Sequence, residues 1–200
     1  MDWLDRMNNV LDYIEENLEE EIDYKQLAKI AYCSEFHFSR KKGDTEMEYR
    51  IENFDFELRI IGKSNSVKTS RAFKTIPTIW SKAKKDGFMQ ELIDLSWENP
   101  KCSLEGILGV CGKEAAIMDE AFNYFTGVRY DGDAREGMET LIIPPATWAV
   151  FPNIVEAWKR LYAEWVPTSG YELANLPCME CYYGPGHKPR HELWVPIISK

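Results

Sequence analysis

The stretch PCMECYYGPGHKPRHELWVP, residues 177–196, predicts two β-strands separated by a turn at its Gly-Pro-Gly segment. Apolar, aromatic and β-branched residues bounded by Pro and Gly are typical of strands. Because side chains alternate between the two faces of a strand, Glu180 shares a face with Tyr182. By the same rule, Glu192 shares a face with Trp194. Each strand therefore places one carboxylate among aromatic neighbours.

The spacing of these glutamates leaves two interpretations open. An unpaired charge on an apolar strand is expensive to bury, so a cationic or proton-donating ligand would compensate it. Alternatively, one or both of Glu180 and Glu192 lie on a solvated face or pair with a nearby Lys or Arg. Spacing alone does not separate a ligand site from a structural ion pair.

Length, charge and composition limit the classes of protein to which this chain can belong. The 200 residues carry a formal net charge of −9, which disfavours nucleic-acid binding except through a local basic patch. The length suits one domain of about 150 residues plus a small appendage. No apolar run of about 18 residues and no signal peptide occur, which predicts a soluble, cytoplasmic protein with no membrane partner. Its 5 Cys are then expected to be reduced thiols.

Two similar successions of elements follow residue 48. The first is predicted as strands near 49–51 and 54–64, a helix over 71–85, a further helical turn or two over 88–97, and strands over 104–111 and 122–130. The second is predicted as strands over 139–143 and 147–151, a helix over 154–165, and the two strands quoted above. Pro77 predicts a break in the first helix, or a start near it.

This succession predicts an α+β fold. Duplicated strand-helix-strand-strand units would form one antiparallel sheet with helices on one side. The groove where two such halves meet is a natural ligand site.

The N-terminal residues predict a short all-α helix-turn-helix segment. Apolar residues recur at three- and four-residue intervals from Trp3 to Leu18, which is typical of an amphipathic helix. Asp23 is suited to cap a second helix, and Ser34 to cap a third after a tight turn.

The residues of this segment resemble the first helix-turn-helix of AraC-type transcription regulators. The matching stretches are Ile14–Leu18, Leu27–Ala31 and Ser34–Arg40. The resemblance implies that the third helix reads the DNA major groove, with contacts from Ser34, Glu35, His37 and Arg40. It stops at Arg40, without the family's linking helix and second helix-turn-helix. The alternative is a helical appendage that packs on the next domain or mediates homodimer formation, and we favour it.

A second resemblance is carried by residues spread in order along the rest of the chain. They are Tyr49-Arg50-Ile51, Ile60-Ile61-Gly62, Ile76-Pro77 with Trp80, Leu108-Gly109-Val110, Tyr124 with Gly127-Val128, Ile142-Ile143-Pro144, Thr147–Phe151, Trp158–Tyr162, Glu164-Trp165, Ser169–Glu172, Glu180 and Glu192–Pro196. This pattern resembles the GyrI-like effector-binding domain of drug-responsive AraC-type and MerR-type regulators. We therefore divide the chain into a partial helix-turn-helix segment at 1–42, a linker at 43–48 and a GyrI-like effector-binding domain at 49–200.

The GyrI-like resemblance implies an aromatic pocket that binds bulky, hydrophobic, often cationic molecules above an acidic residue. Carried over by position, the ligand-binding candidates are Glu180, Glu192, Tyr124, Trp194, Trp80, Tyr171 and Tyr182. Some stand-alone relatives hydrolyse strained small molecules, which would require one glutamate as a general base and the other as an acid. We expect binding rather than catalysis, with hydrolysis and DNA-binding regulation as the alternatives.

One further motif resembles a metal site. Cys178 and Cys181, followed by His187 and His191, have the ligand order of a compact zinc site. In a strand, however, Cys178 and Cys181 point to opposite faces and do not share a metal. We therefore expect neither a metal nor another cofactor.

Overall fold

The structure of the protein is a computed structural model that describes Tyr13 and residues 47–98, 104–112 and 120–200. The chain separates into two compact units, Met1–Glu46 and Met47–Lys200. The predicted helix-turn-helix segment, with the DNA contacts at Ser34, Glu35, His37 and Arg40, lies outside the described residues. Its role in DNA binding stays a prediction.

The described part of the second unit contains nine strands and three helices. The strands are β1 Arg50–Phe54, β2 Leu58–Lys68, β3 Ile107–Cys111, β4 Ala121–Arg129, β5 Glu139–Ile143, β6 Ala146–Phe151, β7 Tyr171–Leu173, β8 Cys178–Tyr182 and β9 His191–Ser199. The helices are α1 Ala72–Lys85, α2 Phe88–Glu98 and α3 Ile154–Arg160. Helix α3 continues into a π-helical turn, Leu161–Trp165, and a last α-helical turn, Val166–Thr168.

All nine strands belong to one sheet in the order β1-β6-β9-β8-β3-β4-β2-β5, with β7 paired to β9. Every strand pair is antiparallel. Strands β2, β3 and β4 with α1 and α2 form one strand-helix-strand-strand unit, and β6, β8 and β9 with α3 form the other. The α+β fold with an antiparallel sheet, predicted from the sequence, is confirmed.

The two halves of the sheet meet where β3 pairs with β8, which we call the β3–β8 seam. Its register places Gly109 opposite Glu180 and Cys111 opposite Cys178. Tyr124 lies opposite Cys111 on the next strand, β4. Because residues directly opposite each other share a face, these side chains converge on one side of the sheet.

Helices cover that side on both flanks of the seam. Helices α1 and α2 pack on β2, β3 and β4 through Trp80, Ala83 and Leu92. Helix α3 and its π turn pack on β6 and β9 through Ala157 and Leu161. The β3–β8 seam lies between these two sets of helices, and we call the region above it the groove.

The opposite side of the sheet buries a second core. Phe54 and Ile143, from strands at the two ends of the sheet, pack in one cluster with Leu108 and Trp194 from its middle. A flat sheet would keep its two end strands far apart, so the sheet is curled around this core.

Several element boundaries differ from the prediction. Helix α1 runs without interruption through Pro77, its sixth residue, which lies on the exposed face and leaves only the Phe73 carbonyl without its helical hydrogen-bond donor. Helix α2 spans eleven residues, more than the predicted turn or two. None of the helices in the described ranges is long and apolar enough to cross a membrane.

Candidate ligand-binding groove

Glu180 lies on the β3–β8 seam, where three aromatic side chains donate hydrogen bonds to its carboxylate. Trp158 Nε1 donates to Oε1 at 3.0 Å, and Tyr182 OH donates to Oε2 at 2.9 Å. Tyr124 OH donates to Oε2 at 3.3 Å. These donors come from α3, β8 and β4, so both halves of the domain contribute to the site.

A fourth aromatic residue supports this arrangement from α1. Trp80 Nε1 donates to Tyr124 OH at 2.9 Å, which leaves the Tyr124 hydroxyl hydrogen directed at Glu180. Burial, and then the negative charge of Glu180, raise the pKa of Tyr124 and of Tyr182. Both phenols therefore stay protonated and keep donating at neutral pH.

These three donors to Glu180 are neutral. Within the described residues, no Lys or Arg forms an ion pair with its carboxylate. Neutral hydrogen bonds satisfy the oxygen atoms without cancelling the charge. Glu180 is thus a half-buried anion among aromatic rings, the surroundings in which a desolvated cation is stabilised.

A cleft of about 940 Å³ opens beside the Glu180 cluster, and its volume lies within the usual range for small-molecule sites. Its apolar wall is formed by Trp80, Met89, Ile93, Trp97 and Tyr182. Trp80 and Tyr182 belong to both the cleft and the Glu180 cluster, and their rings meet edge-on with centroids 5.2 Å apart. This pair of rings therefore forms the boundary between the cleft and the carboxylate.

Glu192 has entirely different surroundings on the other side of the sheet. Its side chain is 1% exposed and forms a bidentate ion pair with Arg50 from β1. Tyr183 OH donates to it at 2.6 Å, and Trp194 Nε1 donates at 3.3 Å. Burial alone would raise the pKa of Glu192, but the hydrogen bonds from Arg50 and Tyr183 outweigh it and hold the pKa below its ordinary value of 4.5. This carboxylate is fully compensated within the protein.

The structure brings together four of the predicted ligand-binding residues, Glu180, Tyr124, Trp80 and Tyr182. It does not bring Glu192 and Trp194 to the same site, because the alternation along β9 directs both of them into the opposite core. Glu180 and Glu192, the two carboxylates that the alternative of hydrolysis would use, therefore lie on opposite sides of the sheet.

Tyr171 also lies away from the Glu180 cluster. It stacks on Trp165, with ring centroids 5.9 Å apart, beside the C-terminal end of β9, where β7 pairs with that strand.

The two cysteines of the zinc-like motif lie on opposite faces of β8, as the strand pattern predicts. Cys178 packs with the α3 side of the sheet, whereas Cys181 is buried in the opposite core. His187 stacks on Tyr183 at 3.8 Å between ring centroids. In the part of the chain that the structure describes, no group of three or more His, Cys, Asp or Glu side chains is arranged to hold a metal ion.

Two residues of the groove were not among the predicted site residues. Trp158 was matched only as part of the GyrI-like pattern, although a buried indole N–H needs a hydrogen-bond acceptor and could have indicated a partner such as Glu180. Gly109 faces Glu180 across the seam, and a Cβ atom there would lie 2.1 Å from Tyr124 OH and 3.3 Å from the Trp80 ring. A residue without a side chain is therefore needed to seat these two rings.

Replacing Gly109 with Ala is expected to lower the free energy of unfolding by about 1–3 kcal/mol, because the added methyl group collides with the Tyr124 hydroxyl in a packed region. Urea denaturation monitored by tryptophan fluorescence would measure the change. Gly186→Ala is the matched control, since a Cβ atom there meets nothing within 4 Å. Equal stability of the two variants would contradict the proposed fit at Gly109.

The sequence of the domain that contains this site matches a known family of proteins. The family described as "GyrI-like small molecule binding domain" matches residues 47–198. The DNA gyrase inhibitor of Erwinia billingiae strain Eb661 is 32% identical over a region that covers 32% of this chain and 48% of that protein. The chain thus spans about half the length of this curated relative.

Two solved structures have the same fold. SAV2435 bound to tetraphenylphosphonium superposes with a TM-score of 0.59 at 20% identity, covering 76% of this chain and 94% of that one. A protein from Staphylococcus aureus MU50 superposes with a TM-score of 0.57 at 20% identity, covering 76% and 99% of the two chains. At this level of identity the likeness concerns the fold alone.

Proposed function

The chain belongs to the family of GyrI-like small molecule binding domains, and from this premise we propose that its groove binds bulky, hydrophobic cations. One observation carries the proposal: among the described residues, the Glu180 carboxylate accepts hydrogen bonds from three neutral aromatic side chains and forms no ion pair with Lys or Arg. A cation that reaches it gains both charge complementarity and contact with the faces of electron-rich rings. Glu192 is outside the proposed site because Arg50 already compensates it.

The cleft supports a ligand with large apolar groups. Its walls are mostly aromatic and aliphatic, which suits aryl substituents. Two basic residues, Lys84 and Arg129, also line the cleft, and the charge of Arg129 is paired with Asp131 at 3.0 Å. Positive charges in the cleft disfavour placing the cationic centre of a ligand there. We therefore propose that the apolar part of the ligand fills the cleft, while its cationic centre approaches Glu180 past Trp80 and Tyr182.

Isothermal titration calorimetry with tetraphenylphosphonium tests the proposal, since SAV2435 has been solved with this cation. Triphenylphosphine oxide serves as a neutral ligand with similar aryl groups. We expect saturable binding of the cation at one site, roughly tenfold or more tighter than the neutral compound. Equal affinity for the two compounds, or no binding of either, would argue against a cation site.

Trp80→Ala is expected to weaken both compounds by roughly tenfold, because the indole wall contacts the aryl groups whatever the ligand charge. The matched control is Phe73→Ala, which removes an aromatic side chain that is 97% exposed on the same helix. The same titrations measure both variants, with circular dichroism to verify folding. Unchanged binding by Trp80→Ala would remove this ring from the site.

The finer assignment to an AraC-type regulator stays a prediction, as do the DNA contacts of the N-terminal segment and its dimer formation. Within the described unit, the proposal concerns only ligand binding. A ligand-responsive regulator would need this groove and a working DNA-binding segment together.

A further inference from the structure

Two cysteines face each other across the β3–β8 seam, next to Glu180. Cys111 ends β3, Cys178 begins β8, and the two residues are direct partners in the strand register. Neither is in a disulfide bond. Their side chains lie on the groove side, where Cys111 packs with the α1 cluster and Cys178 with the α3 cluster.

The hydrogen-bond pattern of the strands defines how far apart these side chains are. Gly112 N donates to Asn123 O, so Gly112 directs its backbone groups toward β4. The preceding residue, Cys111, therefore directs its backbone groups toward β8 and forms a hydrogen-bonded pair with Cys178. In such pairs the Cα atoms are about 5.5 Å apart, and the Cβ atoms are at a similar distance.

This spacing favours a bridging atom over a direct disulfide bond. Disulfides need Cβ atoms about 3.8 Å apart, less than an antiparallel hydrogen-bonded pair provides without distortion. A soft centre that bonds to both sulfurs spans a wider gap, and thiol sulfur is the ligand that soft centres prefer. Burial raises the pKa of Cys178 to about 12 and raises that of Cys111 as well, so both are protonated thiols at neutral pH.

Aromatic side chains flank the pair from both sets of helices. Trp80, from α1, packs against the cluster that contains Cys111, and Trp158, from α3, packs against the same cluster as Cys178. Burial, and then interactions with Cys178 and Cys111, raise the pKa of Tyr162, in the π-helical turn after α3, to about 12. Aromatic neighbours suit a thiophilic compound that also carries an aromatic ring.

We propose that Cys111 and Cys178 form a dithiol site for aryl-substituted trivalent arsenicals. In the reaction with phenylarsine oxide, two As–S bonds form and two S–H bonds break. The arsenic-bound oxygen leaves with both protons as one water molecule, so no oxidant or reductant is needed. The site is independent of the proposed cation binding, because it uses the two sulfurs and not the charge of Glu180.

Intact-mass spectrometry with one equivalent of phenylarsine oxide tests the proposal. Cys33 and Cys102, which lie outside the described residues, are first changed to Ser in every protein. We expect one phenylarsenic adduct with loss of one water, removed by excess ethanedithiol. Cys111→Ser and Cys178→Ser are each expected to abolish it at this stoichiometry, and Cys178→Ala with a thermal unfolding curve separates this loss from misfolding.

Two matched controls make the result specific. Cys181→Ser changes a cysteine of the same strand that faces the opposite core, and it should retain the adduct. Glu180→Gln should also retain the adduct while losing affinity for tetraphenylphosphonium. A failure of the dithiol proposal can therefore be distinguished from a failure of the cation-binding proposal. Persistence of the adduct in folded Cys178→Ser, or its loss in folded Cys181→Ser or Glu180→Gln, would overturn the assignment.

Discussion

Replacement of Glu180 by Gln is expected to lower the affinity for tetraphenylphosphonium by roughly ten- to hundredfold, which corresponds to about 1.4–2.8 kcal/mol. The amide is similar in size and keeps an oxygen that accepts a hydrogen bond from Trp158 or Tyr182, so the walls of the groove should persist. The loss therefore reports the charge. Calorimetric titration at constant ionic strength measures it.

The neutral ligand makes this experiment decisive. Triphenylphosphine oxide should bind Glu180→Gln within about twofold of its affinity for the unchanged protein, because aryl packing does not depend on the carboxylate charge. Glu172→Gln removes an exposed carboxylate from β7 and should leave both affinities unchanged. If Glu180→Gln weakened the cation and the neutral compound equally, the effect would be one of packing, and the charge argument would fail.

Local sequence pattern was sufficient to predict the shared face of Glu180 and Tyr182. Strand alternation has a period of two and needs no knowledge of the fold. The same rule separated Cys178 from Cys181. It also placed Glu192 beside Trp194, which the structure confirms with a hydrogen bond of 3.3 Å between them.

The sequence pattern could not show which face of each strand points toward the groove. Glu180 and Glu192 are equivalent on spacing alone, and they differ because Arg50, 142 residues before Glu192 in sequence, pairs with one of them. That partnership depends on β1 pairing with β6 and β6 with β9, a long-range topology. Trp158 was missed for a similar reason, since its hydrogen bond to Glu180 requires α3 to pack beside the seam.

Replacement of Arg50 by Met is expected to lower the free energy of unfolding at pH 7 by about 2–3 kcal/mol. Removing one member of a fully buried ion pair typically costs about 3–5 kcal/mol. We expect less here because the Arg50 side chain is 42% exposed and solvent screens part of the interaction. Met keeps the apolar length of the side chain, so the change reports the loss of charge from beside Glu192. Urea denaturation at several pH values measures it.

The pH dependence of this stability difference tests whether Glu192 is its cause. In the unchanged protein its pKa lies below 4.5, so the ionised carboxylate contributes stability above pH 4.5 that is lost as the pH falls through its folded-state value. Without Arg50, burial dominates and the variant favours the protonated acid, which is stabilised toward low pH. The difference between the two proteins should therefore shrink steadily below pH 4.5. Glu52→Gln, which removes the more exposed partner of Arg50, should cost less than about 1 kcal/mol. A deficit of Arg50→Met that stayed constant from pH 7 to pH 3 would show that lost packing, and not the buried carboxylate, sets the stability of this side of the sheet.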